Sequence, residues 1–572
     1  MNFLRPYTKK YSKSFSIAVL FLTFEAICDL MQPTIMASII DKGVANQDIS
    51  YVFKMGGLML LITALGAIAA STRNIVSSRV ASDFGAQLRG DLFRKIQTLP
   101  FRNLDKFDRA SLVTRLTNDV SLVQMFVNGL MRIFVKAPLL CLGGLIMATR
   151  LNPQLAVVLA VVVPIVGLLI VINMRVGFPL FKKVQKALDR VNGVMREYLS
   201  GVRVVKAFNR FDYEVEKFNQ SNEQFQKSSV AAARMMSVFN PMIMLCVNLG
   251  IVAVLWIGGL RVSQGNMQVG HIIAFTNYMT QILFSLMMIS MVFTMFVRAR
   301  ASAARIGEVF AEENQMTWSD AQVAAGATRG RIDFEGVSFS YEGEPVLKNI
   351  TLTCLPGQMV GIIGSTGSGK SSLVGLLPRF YDVDAGSIKV DGVDVREVDP
   401  KKLREKIAIV PQKTTLFTGT ILENIRWGNE HATLEQVEQA ARMAEAHEFI
   451  AKAPDGYDTR LGQGGVNLSG GQKQRVSIAR ALVRNPEILI LDDSTSAVDV
   501  TTEAKIKASL KTYAADMTCL LIAQRITSVI DADQIVVLDQ GEIAGVGTHE
   551  ELMKTCEVYQ QIFQSQIGKE AQ

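Results

Sequence analysis

At 572 residues the chain is too long for one ordinary domain. It is 49% hydrophobic and only 20% charged, with a mean hydropathy of +0.25, which argues against a wholly water-soluble protein of this length. The net charge of +8 would suit nucleic acid, but its placement along the chain excludes that partner, and the six scattered cysteines lack any CxxC pair and so predict neither a disulfide framework nor a zinc site.

The chain opens with Arg5, Lys9, Lys10 and Lys13 and then runs apolar with no small-residue cleavage site, so the first span is expected to serve as its own insertion signal. Six stretches reach the roughly 20 residues needed to cross a bilayer. They are Phe15–Ile40, Met55–Ser77, Phe126–Thr149, Leu155–Val176, Met235–Leu260 and Val269–Val297. Short loops join spans one to two, three to four and five to six. Long polar, helix-favouring segments separate spans two and three, and spans four and five. Those long segments carry the basic residues, from Arg79 to Arg115 and from Lys182 to Arg210, while the short loops offer little beyond Lys42, Lys54, Arg150 and Arg261. The positive-inside rule therefore predicts a multi-pass cell-membrane protein with both termini and both long segments in the cytoplasm. The basic balance is then explained by the membrane.

Inside the first span, Glu25 and Asp29 lie four apart on one helical face. Carboxylates are costly in lipid, so they should either pair with a basic group or line a cavity that takes cationic substrates. In the last span, Phe284, Met287, Met288, Met291, Phe293, Met295 and Phe296 suit lipid-facing packing, or an adaptable apolar pocket.

After Arg305 the pattern changes. Residues 1–310 read as the membrane domain, 311–330 as a linker, and 331–572 as an α/β domain of alternating strands and helices. A strand at Met359–Ile363 leads into Gly364-Ser365-Thr366-Gly367-Ser368-Gly369-Lys370-Ser371, followed by Ser372 and a helix. Such a loop closes backbone N–H groups around phosphates, Lys370 adds a cation, and the Ser371 hydroxyl can ligate magnesium. Further on, the apolar run Ile488–Leu491 delivers Asp492, the second magnesium-side element. Between them, Leu468-Ser469-Gly470-Gly471-Gln472 opens a helix with another phosphate-ready N-terminus. One nucleotide needs one phosphate loop, so the second cradle suggests the γ-phosphate of a nucleotide on another chain.

With these motifs in this order, the chain resembles an ATP-binding-cassette (ABC) exporter half-transporter over essentially its whole length. The resemblance implies an α-helical transmembrane domain of six spans with long cytoplasmic extensions, fused to an α/β P-loop nucleotide-binding domain. It implies ATP and Mg2+ as cofactors, with Ser371, Gln412 and Asp492 on the metal and Tyr341 stacking on adenine. Leu468–Gln472 is the family signature, and Ser496, Ala497 and Asp499 belong to the loop that crosses the dimer interface. Short helices near Asn103–Ala110 and Gly201–Phe208 would couple the two domains.

Three positions depart from the family pattern. Asp493 stands where a catalytic Glu is expected, Gln524 where a switch His is expected, and Gln463 where an acid is usual. Shortening Glu to Asp withdraws the carboxylate by about 1.5 Å, and misplacement of that order costs roughly 10²-fold in rate where positioning carries the catalysis. Gln524 can hydrogen-bond a phosphate but cannot take up a proton's charge as His can. The chain thus resembles the degenerate-site subunit of heterodimeric bacterial multidrug exporters. That resemblance implies a second half-transporter as partner, contact with membrane lipid, and a hydrophobic or amphipathic small molecule as substrate. Lipid or peptide export, a working homodimer, and a nucleotide-gated channel or regulatory subunit are the alternatives.

Overall fold

The computed structural model describes residues 2–314, 316, 329–341, 343–513 and 517–567. Within the expected linker, residues 315 and 317–328 lie outside the described residues. The chain forms two compact units, Met1–Gln97 with Asp108–Glu312, and Thr98–Phe107 with Glu313–Gln572. The short segment 98–107, between the second and third long helices, thus belongs with the second unit.

Among the described residues six helices are long and apolar enough to cross a membrane: Arg5–Val44, Ile49–Thr98, Arg109–Leu151, Ala156–Ala207, Phe211–Ser263 and Val269–Ala311. They match the six expected spans, and most run well past the apolar stretch. The 52-residue helix Ala156–Ala207 is about 78 Å long at 1.5 Å per residue, against about 30 Å of hydrocarbon. The excess is the polar, basic sequence that marked the long segments. Leu60, Leu61 and Trp256 are exposed along the apolar stretches, as side chains that meet lipid tails should be.

A polar cluster ties three of these helices together. Glu25 is 6% exposed; its Oε2 lies 3.1 Å from Arg73 Nε and its Oε1 accepts from Lys136 Nζ at 2.5 Å. Lys136 also meets Asp29 Oδ2 at 2.9 Å. Just before Lys136 the third helix contains a π-helical turn, Leu130–Phe134. Such a turn shifts the carbonyl pairing, and Arg73 Nη1 donates to the Arg132 carbonyl at 3.0 Å. Both acids that sequence placed on one face therefore share a single lysine.

The second unit is built on a six-stranded sheet. Its order is Glu542–Gly547, Gln534–Asp539, Met359–Gly364, Thr518–Ile522, Ile488–Asp492 and Ile407–Val410, all parallel except the first. The strands Ile488–Asp492 and Thr518–Ile522 are buried at every residue because the sheet is covered on both faces. Alternate side chains feed two cores. Val360, Ile362, Ile490 and Leu520 pack with the smaller antiparallel sheet of Ile332–Phe339, Leu347–Cys354, Ala385–Val390 and Val393–Asp394. Ile363, Leu489, Leu491 and Leu521 pack with helical residues including Val437, Val476 and Ile478.

Removing Lys136 strips Asp29 of its cation and leaves Glu25 with Arg73 alone, and breaking a mostly buried pair costs about 3–5 kcal/mol. Lys136→Met should therefore sharply lower the unfolding temperature and the yield of monodisperse protein. Adding Asp29→Asn should recover part of the loss, whereas Glu25→Gln should not, because it strips the buried Arg73 of its carboxylate; both are read by thermal unfolding in detergent.

Candidate nucleotide site

The parallel pairing delivers the site. Ile522 is in register with Ile362 on one side and Asp492 on the other, so three adjacent strands end together. Binding crevices of open α/β sheets lie outside such carboxyl ends. The first strand runs into the loop Gly364–Gly369 and the helix Lys370–Leu376. Gly369 has φ +95°, and a Cβ there would come within 3.0 Å or less of Leu347 and the Val346 carbonyl. Only glycine suits this position. Lys370 Nζ donates to the carbonyls of Gly364 at 3.0 Å and Ser365 at 2.7 Å, which curls the amine over its own loop. Burial lowers its pKa, and the charges of Asp492 and Asp493 partly offset that.

At the end of Ile488–Asp492, separated from the phosphate-loop strand by Thr518–Ile522, Asp492 Oδ1 accepts from Ser371 Oγ at 3.0 Å. Burial raises the Asp492 pKa; the Ser371 hydrogen bond and Lys370 pull it down, and the charge of Asp493 pushes it up. Asp493 itself has φ +48°, a left-handed conformation at the abrupt exit of the strand. Its N–H donates to the Ile522 carbonyl at 3.0 Å. Its side chain has two amide partners: Oδ2 accepts from Gln524 Nε2 at 2.8 Å and from Gln412 Nε2 at 3.1 Å. The structure thus gathers Gly364–Ser372, Gln412, Asp492, Asp493 and Gln524 around one point.

Tyr341 stands at the edge of this group, 43% exposed, its hydroxyl 3.0 Å from Ser372 Oγ. Leu468–Gln472 sit elsewhere, against the loop Ser496–Asp499. Ser469 caps the helix Gly470–Leu482 in a reciprocal box with Gln472. A Cβ on Gly471 would lie 2.8 Å from the Ala497 carbonyl, so the signature glycine allows the loop's close approach. Gln474, which sequence reasoning missed, secures that loop: its Oε1 accepts from Ala497 N at 3.0 Å and its Nε2 meets Ser496 Oγ at 3.2 Å. Gln566 was missed too. It donates to the Gln524 carbonyl at 2.8 Å and accepts from Ile526 N at 2.7 Å, holding the switch segment from the helix Glu557–Ile567. Neither glutamine lies in a motif, so only the fold reveals them.

The donor chemistry fits Mg2+. Ser371 and Asp492 offer hard oxygen ligands side by side, few enough to leave room for phosphate and water as that ion prefers. Among the described residues no group of three or more His, Cys, Asp or Glu offers an all-protein metal cage.

Comparison with known proteins agrees with this architecture. Residues 15–287 match the model of the ABC transporter transmembrane region, and residues 347–496 match the ABC transporter model. The chain is 41% identical to the ABC transporter ATP-binding protein YfiB of Bacillus subtilis, covering all of this chain and 98% of that one. It belongs to the ABC transporter family. A relative in Mycobacterium tuberculosis, the ABC transporter ATP-binding protein Rv1273c, is 39% identical over 98% of this chain and 97% of its own length. Among solved structures, a bacterial Atm1-family ABC exporter with ATP bound superposes with a TM-score of 0.80 at 26% identity, covering 98% of this chain and 99% of that one. The protein is therefore an ABC exporter half-transporter, multi-pass in the membrane, with an ATP-binding, ATP-hydrolysing domain.

The raised Asp492 pKa carries a sign. The folded carboxyl holds its proton more tightly than the unfolded one, so it favours folding at low pH. That contribution is lost as pH rises through the raised folded value, and at neutral pH the ionised group is a cost. Asp492→Asn should therefore raise the unfolding temperature of nucleotide-free protein at pH 7.5. The gain should shrink toward pH 4, and the added stabilisation by MgATP should disappear.

Proposed function

We propose that this chain is one half of a heterodimeric exporter of hydrophobic or amphipathic compounds, with a slow ATP site on its own phosphate loop. The domains are taken as 1–310 and 331–572, joined by 311–330. The observation that carries the reading is the amide clamp on Asp493. Gln412 and Gln524 both donate to the same carboxylate oxygen. The two donors engage one oxygen of the carboxylate that would have to take a proton from the attacking water, and neither amide can supply or remove a proton at neutral pH. The side chain is also one methylene short of the Glu that the family places there. Binding needs none of this. Tyr341 would give the adenine a ring face, the Gly364–Ser372 backbone and Lys370 would hold phosphates, and Ser371, Asp492 and Gln412 would hold the magnesium. The bound ion would neutralise phosphate charge and orient the phosphates.

The signature serves a different nucleotide. In a head-to-tail pair, Ser469, Gly470 and Gly471 close over the ATP on the partner's phosphate loop, while Asp493 and Gln524 serve this chain's own. Damage to the signature should then cost more than damage to the local base. Gly470→Asp would set a carboxylate against the partner-bound γ-phosphate in a poorly solvated site. It should nearly abolish ATPase in the assembled pair, whereas Asp493→Asn should lower it by no more than about twofold. Both are measured at saturating ATP, and a larger loss from Asp493→Asn would make Asp493 a working base.

The orientation follows from the basic long segments. Asn46 and Gln264 lie exposed in turns at one set of helix ends, and Asn209 is exposed in the turn between Ala156–Ala207 and Phe211–Ser263. Single cysteines at Asn46 and Gln264 should react with a membrane-impermeant maleimide on intact cells. A cysteine at Asn209 should react only after permeabilisation.

A further inference from the structure

The segment Thr98–Phe107 clusters with the nucleotide unit, and its short helix Phe101–Asp105 packs against aromatic residues at the edge of the site. The Phe101 ring lies 4.9 Å from Phe380 and 6.1 Å from Tyr381, centre to centre. Tyr381 donates its hydroxyl to Asp105 Oδ2 at 2.6 Å. The same Tyr381 ring meets Tyr341 edge-on at 5.2 Å and 88°, and Phe339 closes the triangle at 5.5 Å from Tyr381 and 4.9 Å from Tyr341. Tyr341 is tied to Ser372 through its hydroxyl. An unbroken line of contacts therefore runs from Asp105 through Tyr381 and Tyr341 to the helix that leaves the phosphate loop.

We propose that Tyr381 is a positioning residue that couples the base-stacking face of Tyr341 to the docking of the Phe101–Asp105 helix. This rests on Tyr341 being the adenine platform. Aromatic side chains have only two torsions, and edge-to-face pairs are directional, so the orientation of one ring constrains the next. A purine on the exposed face of Tyr341 favours one ring orientation, and Tyr381 packs on that orientation from behind. Its hydroxyl is held at the other end by Asp105. Burial, then the Asp105 hydrogen bond, push the Tyr381 pKa up, which keeps the phenol a donor throughout the physiological range. Coupling of this kind is reciprocal: if the base favours loop docking, the docked loop favours the base. Asp105 should then contribute to ATP affinity although it belongs to the loop, and only to the part of the affinity that depends on adenine.

The test compares two ligands on the full-length chain in lipid nanodiscs with Mg2+: ATP, and inorganic tripolyphosphate, which offers phosphates without a base. Tyr381→Phe keeps the ring and removes the hydroxyl; Asp105→Ala removes the acceptor. Each should weaken ATP about fivefold, the low end of allosteric coupling, and leave tripolyphosphate unchanged. Tyr341→Ala is the control for the platform and should weaken ATP alone by more. If Tyr341→Ala leaves ATP binding intact, the platform assignment fails. If Tyr341→Ala weakens ATP while Tyr381→Phe and Asp105→Ala do not, the coupling is overturned. Equal losses for both ligands in either variant would also overturn it, since a merely structural contact makes no distinction between base and phosphate.

Discussion

Ile522 has Ile362 beside it on one strand and Asp492 beside it on the other, and much of the nucleotide site depends on that register. Because the three strands are parallel and buried on both faces, each must end at the same rim, and the segments leaving those ends are forced together. The phosphate loop leaves the first strand, Gln524 lies just past the second, and Asp493 just past the third. A one-residue slip in any of them would turn Asp492 away from Ser371 and move its apolar neighbours from one core to the other. The two hydrophobic cores therefore fix the site's geometry before any polar contact is made.

Much of this was legible in the sequence where one short segment carries its own physical reason. The phosphate loop needs glycines at fixed offsets, and the spans need length and apolarity; both show without a structure. The features that stayed hidden depend on partners far apart in the chain. Glu25 and Asp29 were visible as costly acids, but the cation they share, Lys136, lies 111 positions from Glu25 and became identifiable only once three helices were packed. Gln474 sits two residues past the signature, and its hydrogen bonds to the Ser496–Asp499 loop need the helix and the loop in place. Tyr381 lies in none of the motifs, and its place shows only with the helix Phe101–Asp105 packed against it.

The two departures at the site meet in one hydrogen bond. Gln524 Nε2 donates to Asp493 Oδ2, so the short acid and the amide that replaces the switch residue are joined directly. A longer acid at 493 would reach further toward the phosphates, and an imidazole at 524 offers one N–H in a fixed plane where the amide offers two. The pair is mutually consistent in size and polarity, and the Gln412 amide completes the same acceptor. Local consistency of this sort is how a packed protein accommodates two changed residues without strain elsewhere.

The two units handle buried charge differently, and the difference tracks what each must do. In the membrane unit the charged groups find opposite partners within the chain: Glu25 with Arg73 and Lys136, Asp119 with Arg305 and the Ser302 hydroxyl. For Glu25, inside the first span, lipid offers no alternative solvation, so its partners must be internal to the unit. At the nucleotide site the chain instead sets two adjacent acids beside one amine, and burial raises the pKa of Asp492 where a structural pair would lower it. That arrangement is a cost to the fold, of the kind proteins concentrate at functional sites. A divalent cation brought in with the phosphates is the group whose charge complements Asp492 and Asp493, while Lys370 answers the phosphates themselves. Folding energy from the two apolar cores holds the acids in place, where a magnesium nucleotide would relieve the charge of Asp492.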